Sequence, residues 1–332
     1  MQKRPSILVT QRVPDAAYPL LEAVGEVDAN REEGRIWTPD ELLQRASGHE
    51  YLYCLVTDTI DARLLQACAS ATPRLKQVSV MAVGYNNTDV ETATKLGIAI
   101  TNTPGVLTDT SADLAFALLL SVARRIPEAE RYLRAGRFTG WGPLLFCGAD
   151  VHHTTLGIVG AGRIGLAVAQ RARGFDMTVL YHNRTRLSPS VEAQYALTYL
   201  PLDELLSRAD FVSIHAPYTP QTHHLIGERE LALMKPPAML INTARGPLVD
   251  EKALVNALRT GKIAGAALDV FEREPEVEAE LLTLEQVVLV PHIASASYST
   301  RTRMATMASE NIVARIRGER PPTIINPEVL ER

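Results

Sequence analysis

The chain has 332 residues, 46% hydrophobic and 22% charged, with Lys+Arg 34 against Asp+Glu 38 and a formal net charge of −4. That length suits two domains whose cores need no covalent staples. Cys54, Cys68 and Cys147 make neither a disulfide framework nor a paired metal knuckle, the near balance of charge leaves no basic footprint for nucleic acid, and the most apolar run (114–123) is too short for a bilayer. The first residues carry no apolar signal segment, so a soluble protein of a reducing, cytoplasmic compartment is expected, with no membrane or nucleic-acid partner.

The predicted elements alternate along the chain. Residues 7–9 are a short β-branched strand and 16–24 a helical repeat. Thr38-Pro39-Asp40-Glu41 marks a helix start: Thr38 caps, Pro39 takes the first helical position and Glu41 completes a capping box. Strands follow at 51–56, 77–83 and 98–101, with helices at 62–69 and 89–96, which predicts a parallel sheet covered on both faces. A boundary falls at Thr103-Pro104-Gly105. Helical patterns then cover 111–125 and 127–135, and a loop covers 136–153. A second α/β series has strands at 156–159, 178–181, 211–215, 239–242, 266–270 and 287–290, with a last helix at 300–317.

Within that series, residues 156–159 run into Gly160-Ala161-Gly162-Arg163-Ile164-Gly165 and an apolar helix. This is the dinucleotide fingerprint in its strand-turn-helix setting. Gly160 permits the tight turn, Gly162 admits a pyrophosphate to the backbone, Gly165 allows close helix–strand packing, and the helix start at Arg163 and Ile164 offers free amides to the anion. About 20 residues on, where an acidic residue would bind the ribose 2′-hydroxyl of NAD, the chain reads Asn183-Arg184-Thr185-Arg186. Arginines there suit a 2′-phosphate, so NADP(H) is expected as the preferred cofactor, with NAD(H) possible.

Three more segments begin at predicted strand ends: Asn242-Thr243-Ala244-Arg245-Gly246, Asp269-Val270-Phe271-Glu272-Arg273-Glu274, and Pro291-His292-Ile293. Strand carboxyl ends are where open α/β sheets bind ligands, and an arginine, a glutamate and a histidine there can bind an acid, tune a base and move a proton. The pairs His152-His153 and His223-His224 lack metal-ligand spacing, and no metal is expected.

These blocks, with Val83-Gly84-Tyr85-Asn86-Asn87, resemble in order and spacing the D-isomer-specific 2-hydroxyacid dehydrogenase family over nearly the whole chain. Arg184-Thr185-Arg186 and Gly140-Trp141 are similar to its glyoxylate/hydroxypyruvate reductase branch. The resemblance implies a small 2-oxo acid as substrate and His292 as general acid. It implies Glu274 as the partner of its ring, and Arg245 on the substrate carboxylate with the Val83 and Gly84 amides. Ser111, Pro217 and Asp269 are placed at the cofactor, Asp269 on the nicotinamide carboxamide. It further implies a homodimer, with Trp141 reaching the substrate pocket of a second copy or anchoring the interface. The chain departs from the family at Ser111 (usually Thr) and at Ala294 (usually Gly). It has Val83 where phosphite dehydrogenases carry a lysine. A broader D-2-hydroxyacid dehydrogenase and a dinucleotide-sensing corepressor are the competing readings.

The fold class expected is α/β with two doubly wound parallel-sheet domains. A Rossmann dinucleotide-binding domain (104–293) is inserted into a flavodoxin-like substrate domain (1–103 and 294–332), with the active site in the cleft between them.

Overall fold

The computed structural model describes residues 4–331, which divide into two compact units, 4–107 with 296–331 and 108–295. The first begins with β1 (Ser6–Val9), α1 (Tyr18–Glu22), β2 (Glu26–Ala29), α2 (Pro39–Ala46), β3 (Tyr51–Cys54), α3 (Ala62–Ser70), β4 (Gln77–Val80), α4 (Val90–Lys95) and β5 (Ala99–Thr101). Its five strands pair in parallel in the order β2-β1-β3-β4-β5. That is the flavodoxin-like order. The Thr38 capping box is formed: the Glu41 amide donates to Thr38 Oγ1 at 3.3 Å and the Thr38 amide to Glu41 Oε2 at 2.9 Å. β2 escapes the sequence pattern because it is a sheet-edge strand whose residues alternate between exposed and half-buried, with little apolar signal. The 77–83 strand is shorter than expected, since its ladder ends at Val80.

The second unit holds α5 (Thr108–Ala123), α6 (Ile126–Arg134), β6 (Thr155–Val159), α7 (Arg163–Ala172), β7 (Thr178–His182), α8 (Pro189–Tyr195), β8 (Leu197–Tyr199), α9 (Leu202–Arg208), β9 (Phe211–Ile214), α10 (Glu228–Leu233), β10 (Met239–Asn242), α11 (Glu251–Arg259), β11 (Gly265–Leu268) and β12 (Val287–Leu289). Its seven parallel strands run β12-β11-β10-β9-β6-β7-β8. Counted from β6, this is the Rossmann order with one more strand at the far edge. The chain reverses direction across the sheet between β6 and β9, and ligands of open α/β sheets gather outside the strand ends at such a point. β8, three residues at the other edge, was also invisible to sequence pattern. α5 is apolar nearly all round because it is buried on several sides, packing on α7, β10 and β11.

α12 (Tyr298–Ile316) returns the chain to the first unit, where it covers β3 and β4. Hydroxyls fasten it. Tyr53 donates to the Ala305 carbonyl at 3.2 Å and Ser79 to the Ala308 carbonyl at 2.8 Å. Among the described residues no helix is long and apolar enough to cross a membrane.

Candidate active site

The glycine turn after β6 has the conformation its sequence requires. Gly160 sits at φ +99, and a Cβ there would lie 2.4 Å from the Ala216 amide nitrogen. A Cβ on Gly165 would meet the Gly160 carbonyl at 2.5 Å, so α7 packs close against its own turn. Gly162 has open space beside it and caps α7 without a side-chain bond, which leaves the first helical amides of Arg163 and Ile164 to a ligand. Asn183, at the end of β7, accepts from the Ala161 amide at 2.6 Å and pins the turn to the neighbouring strand. These features fit a dinucleotide pyrophosphate. Arg184 and Thr185 are exposed beyond Asn183, while Arg186 is ion-paired to Glu192 at 2.7 Å, a carboxylate that the local reading of 181–186 did not contain.

The second cluster is built at the ends of β10, β11 and β12. Asn242 makes the turn that presents Arg245: its side chain donates to the Arg245 carbonyl at 2.9 Å and accepts from the Ala244 amide at 3.0 Å. Gly246 follows because nothing larger fits, since a Cβ would lie 1.9 Å from the Phe271 carbonyl. The Arg245 and Glu274 loops therefore touch through backbone. Arg245 is half-buried and donates to the Ala244 carbonyl at 2.7 Å. It has no carboxylate within ion-pair distance among the described residues, although its charge reaches Glu274. Burial pushes the guanidinium below its ordinary value, with Glu274 acting against that shift.

Glu274 bridges its own loop to His292. Its Oε1 accepts from the Phe271 amide at 3.0 Å and its Oε2 meets His292 Nδ1 at 2.8 Å. Burial acts to raise the Glu274 carboxyl. The His292 bond and charge, the Phe271 amide and Arg245 outweigh it and hold the group below the usual carboxylate range. His292 stands at φ +51, a left-handed conformation that costs a residue with a side chain on the order of 1 kcal/mol. Asp269 holds it there. The His292 amide donates to the Asp269 carbonyl at 2.9 Å, and the two carboxylate oxygens accept from the Ile293 and Ala294 amides at 2.6 and 2.9 Å. Asp269 is fully buried. In this arrangement it braces the His292 turn.

Ser111 is buried in the first turn of α5, and Pro217 is exposed after β9 with its carbonyl accepting from Thr222 Oγ1 at 2.9 Å. In the first unit, Val83 and Gly84 follow β4 and are half-buried, and their amides donate to no other group among the described residues. Trp141 is 84% exposed. Sequence reasoning gave no role to Thr243, whose buried hydroxyl, two positions before Arg245, has no hydrogen-bond partner among the described residues. It also treated His223-His224 as a plain surface pair. Their ring nitrogens and a Glu272 oxygen lie within 4.8 Å of one another, and His224 Nε2 meets Glu272 Oε1 at 2.6 Å. No local spacing announces a partner 48 residues away.

Residues 116–294 match the D-isomer-specific 2-hydroxyacid dehydrogenase NAD-binding domain. The chain is 48% identical over 332 residues to the glyoxylate reductase of Korarchaeum cryptofilum, covering 99% of this chain and 98% of the relative. Among solved structures, a protein of Thermus thermophilus superposes with a TM-score of 0.89 at 44% identity, covering 96% of this chain and 99% of that one. The NADPH-dependent glyoxylate/hydroxypyruvate reductase of Sinorhizobium meliloti, solved with NADP and malonate, superposes with a TM-score of 0.84 at 35% identity and covers 98% of both chains. The fold and site define an oxidoreductase that uses a nicotinamide dinucleotide on small 2-hydroxy or 2-oxo acids. The chain belongs to the D-isomer-specific 2-hydroxyacid dehydrogenase family.

Proposed function

We propose that this chain reduces glyoxylate and hydroxypyruvate to the corresponding 2-hydroxy acids, with NADPH preferred over NADH and His292 as general acid. One observation carries the reading. Arg245 is a largely enclosed cation with no carboxylate in ion-pair distance among the described residues, and its charge reaches Glu274, the carboxylate that holds Nδ1 of His292. A cation withdrawn from water without a partner is costly, and a substrate carboxylate is the partner whose geometry matches the guanidinium fork. The bound cofactor supplies a hydride to the keto carbon. Arg245 binds the substrate carboxylate and polarises the carbonyl. Glu274 holds Nδ1 of His292, which leaves Nε2 to give its proton to the carbonyl oxygen as negative charge develops there. Asp269 keeps the turn in place.

Asn183, Arg184, Thr185 and Arg186 support the NADPH preference. Leu133, Phe138, Trp141 and Leu144 are 52 to 85% exposed along one segment. Exposed apolar side chains gathered in one stretch of chain support a homodimer with Trp141 as an anchor. The purified protein is tested by following nicotinamide absorbance with glyoxylate, hydroxypyruvate and longer 2-oxo acids, each with NADPH and NADH. The reading expects turnover of the two small acids with a higher kcat/KM for NADPH. Failure to oxidise either cofactor with any acid would leave a binding protein of the same fold instead.

A further inference from the structure

The corner after β7 is fastened by a carboxylate in the first turn of α8. Arg186 donates through Nε to Glu192 Oε1 at 2.7 Å and through Nη2 to Oε2 at 2.8 Å, a planar two-point pairing. The Glu192 side chain is 11% exposed, against 62% for Arg186. The Tyr181 hydroxyl donates to the same Oε1 at 2.5 Å and accepts from the Leu187 amide at 2.9 Å. Tyr181 is fully buried on β7, so Glu192 is tied to the sheet and Arg186 to Glu192. The Arg186 bond and then the Tyr181 bond hold the Glu192 carboxyl down to about 2, which keeps it ionised at neutral pH. Arg184 is exposed and makes no ion pair among the described residues.

We propose that Glu192 is a specificity-determining residue for the cofactor: by compensating Arg186 it leaves Arg184 as the uncommitted cation of the corner and limits the preference for a 2′-phosphate over a 2′-hydroxyl. The proposal rests on reading this corner as the 2′ site. With Glu192 ionised the three groups carry one net positive charge; without it they carry two. The second charge acts on a phosphate and barely on a hydroxyl, so the carboxylate tunes discrimination and not dinucleotide binding as such. Glu192 acts through Arg186 and touches no reacting atom.

The test is the ratio of kcat/KM for NADPH to that for NADH in the wild type and in the Arg184→Ala, Glu192→Gln, Arg186→Gln and Arg186→Gln/Glu192→Gln variants, with thermal unfolding of each. Glu192→Gln is expected to raise the ratio roughly three- to tenfold through a lower KM for NADPH, with the NADH constants unmoved. Arg186→Gln lowers the ratio, and adding Glu192→Gln to it restores much of the loss, since the double variant has the formal charge of the wild type. That second comparison decides the matter should the single Glu192→Gln variant fail to fold. Arg184→Ala is expected to weaken NADPH use by about tenfold or more and to spare NADH. No NADPH effect in Arg184→Ala would overturn the reading of the corner itself. A normal loss in Arg184→Ala, with neither Glu192→Gln comparison raising the ratio, would overturn the Glu192 proposal alone. So would a drop in melting temperature without a change in ratio, which would assign Glu192 to holding α8 on β7 and nothing more.

Discussion

Arg245 and Arg186 stand at strand ends of one seven-stranded sheet and are treated in opposite ways. Arg245 is half-buried, held by an asparagine-braced turn and given no internal carboxylate among the described residues. Arg186 is largely exposed and given one, in a two-point pairing that a buried tyrosine supports. The Arg186 end of that pair is open to solvent, so water can satisfy the guanidinium even without Glu192. An enclosed cation left alone is a standing cost. The difference teaches where the chain reserves charge for a guest: at Arg245 in full, and at the 183–186 corner in a moderated form.

The comparison breaks most sharply at Arg245. Arg245→Ala is expected to lower kcat/KM for glyoxylate roughly 10⁴-fold, through the lost charge-assisted pair and the lost polarisation of the carbonyl, while fluorescence titration shows cofactor affinity unchanged. Arg245→Lys recovers only part, since an ammonium cannot match a carboxylate at two points. His292→Ala loses about 10²–10⁴-fold in kcat, read by steady-state kinetics. Gly246→Ala tests the contact that sets Arg245 beside the Glu274 loop. Overpacking against the Phe271 backbone costs about 1–3 kcal/mol or more and shows as a lowered melting temperature.

Glu274 gives a pH signature. Its folded carboxyl lies below the ordinary range, so its contribution to stability is present above the unfolded value, near ~4.3 for a glutamate, and is lost as pH falls through the lower folded value. Wild type and Glu274→Gln should therefore differ in melting temperature at neutral pH and converge only in acid. Convergence already at neutral pH would show that the carboxylate is not held by His292. The smallest effect is expected at Asn183. Asn183→Ala frees the Ala161 amide and should raise KM for both cofactors by about three- to tenfold with kcat kept, the loss of a single hydrogen bond.

Much of this was legible in the sequence because it is local. The Gly160 turn needs φ > 0 and two close approaches, and only glycine supplies both, so the motif announces its own geometry. Thr38 and Glu41 settle a helix start within four positions of each other. β2 and β8 were hidden because edge strands are short and partly exposed, which erases apolar periodicity. The bracing bonds of Asp269 and the pairing of Glu192 were missed for another reason. What they do depends on where other segments arrive: Asp269 meets an amide 25 residues on, and Glu192 reaches Arg186 from the next helix. Gly246 likewise reads as a turn glycine, until the Phe271 backbone is found against it.

The central claim is that Arg245 is kept uncompensated for the carboxylate of a 2-oxo acid. Calorimetric titration of the cofactor-loaded protein with oxamate, an unreactive analogue of such an acid, tests it most directly. The account predicts one site per chain in the wild type and at least a roughly hundredfold weaker affinity in Arg245→Ala, the scale of a lost charge-assisted pair. Equal affinity in the two proteins would contradict it.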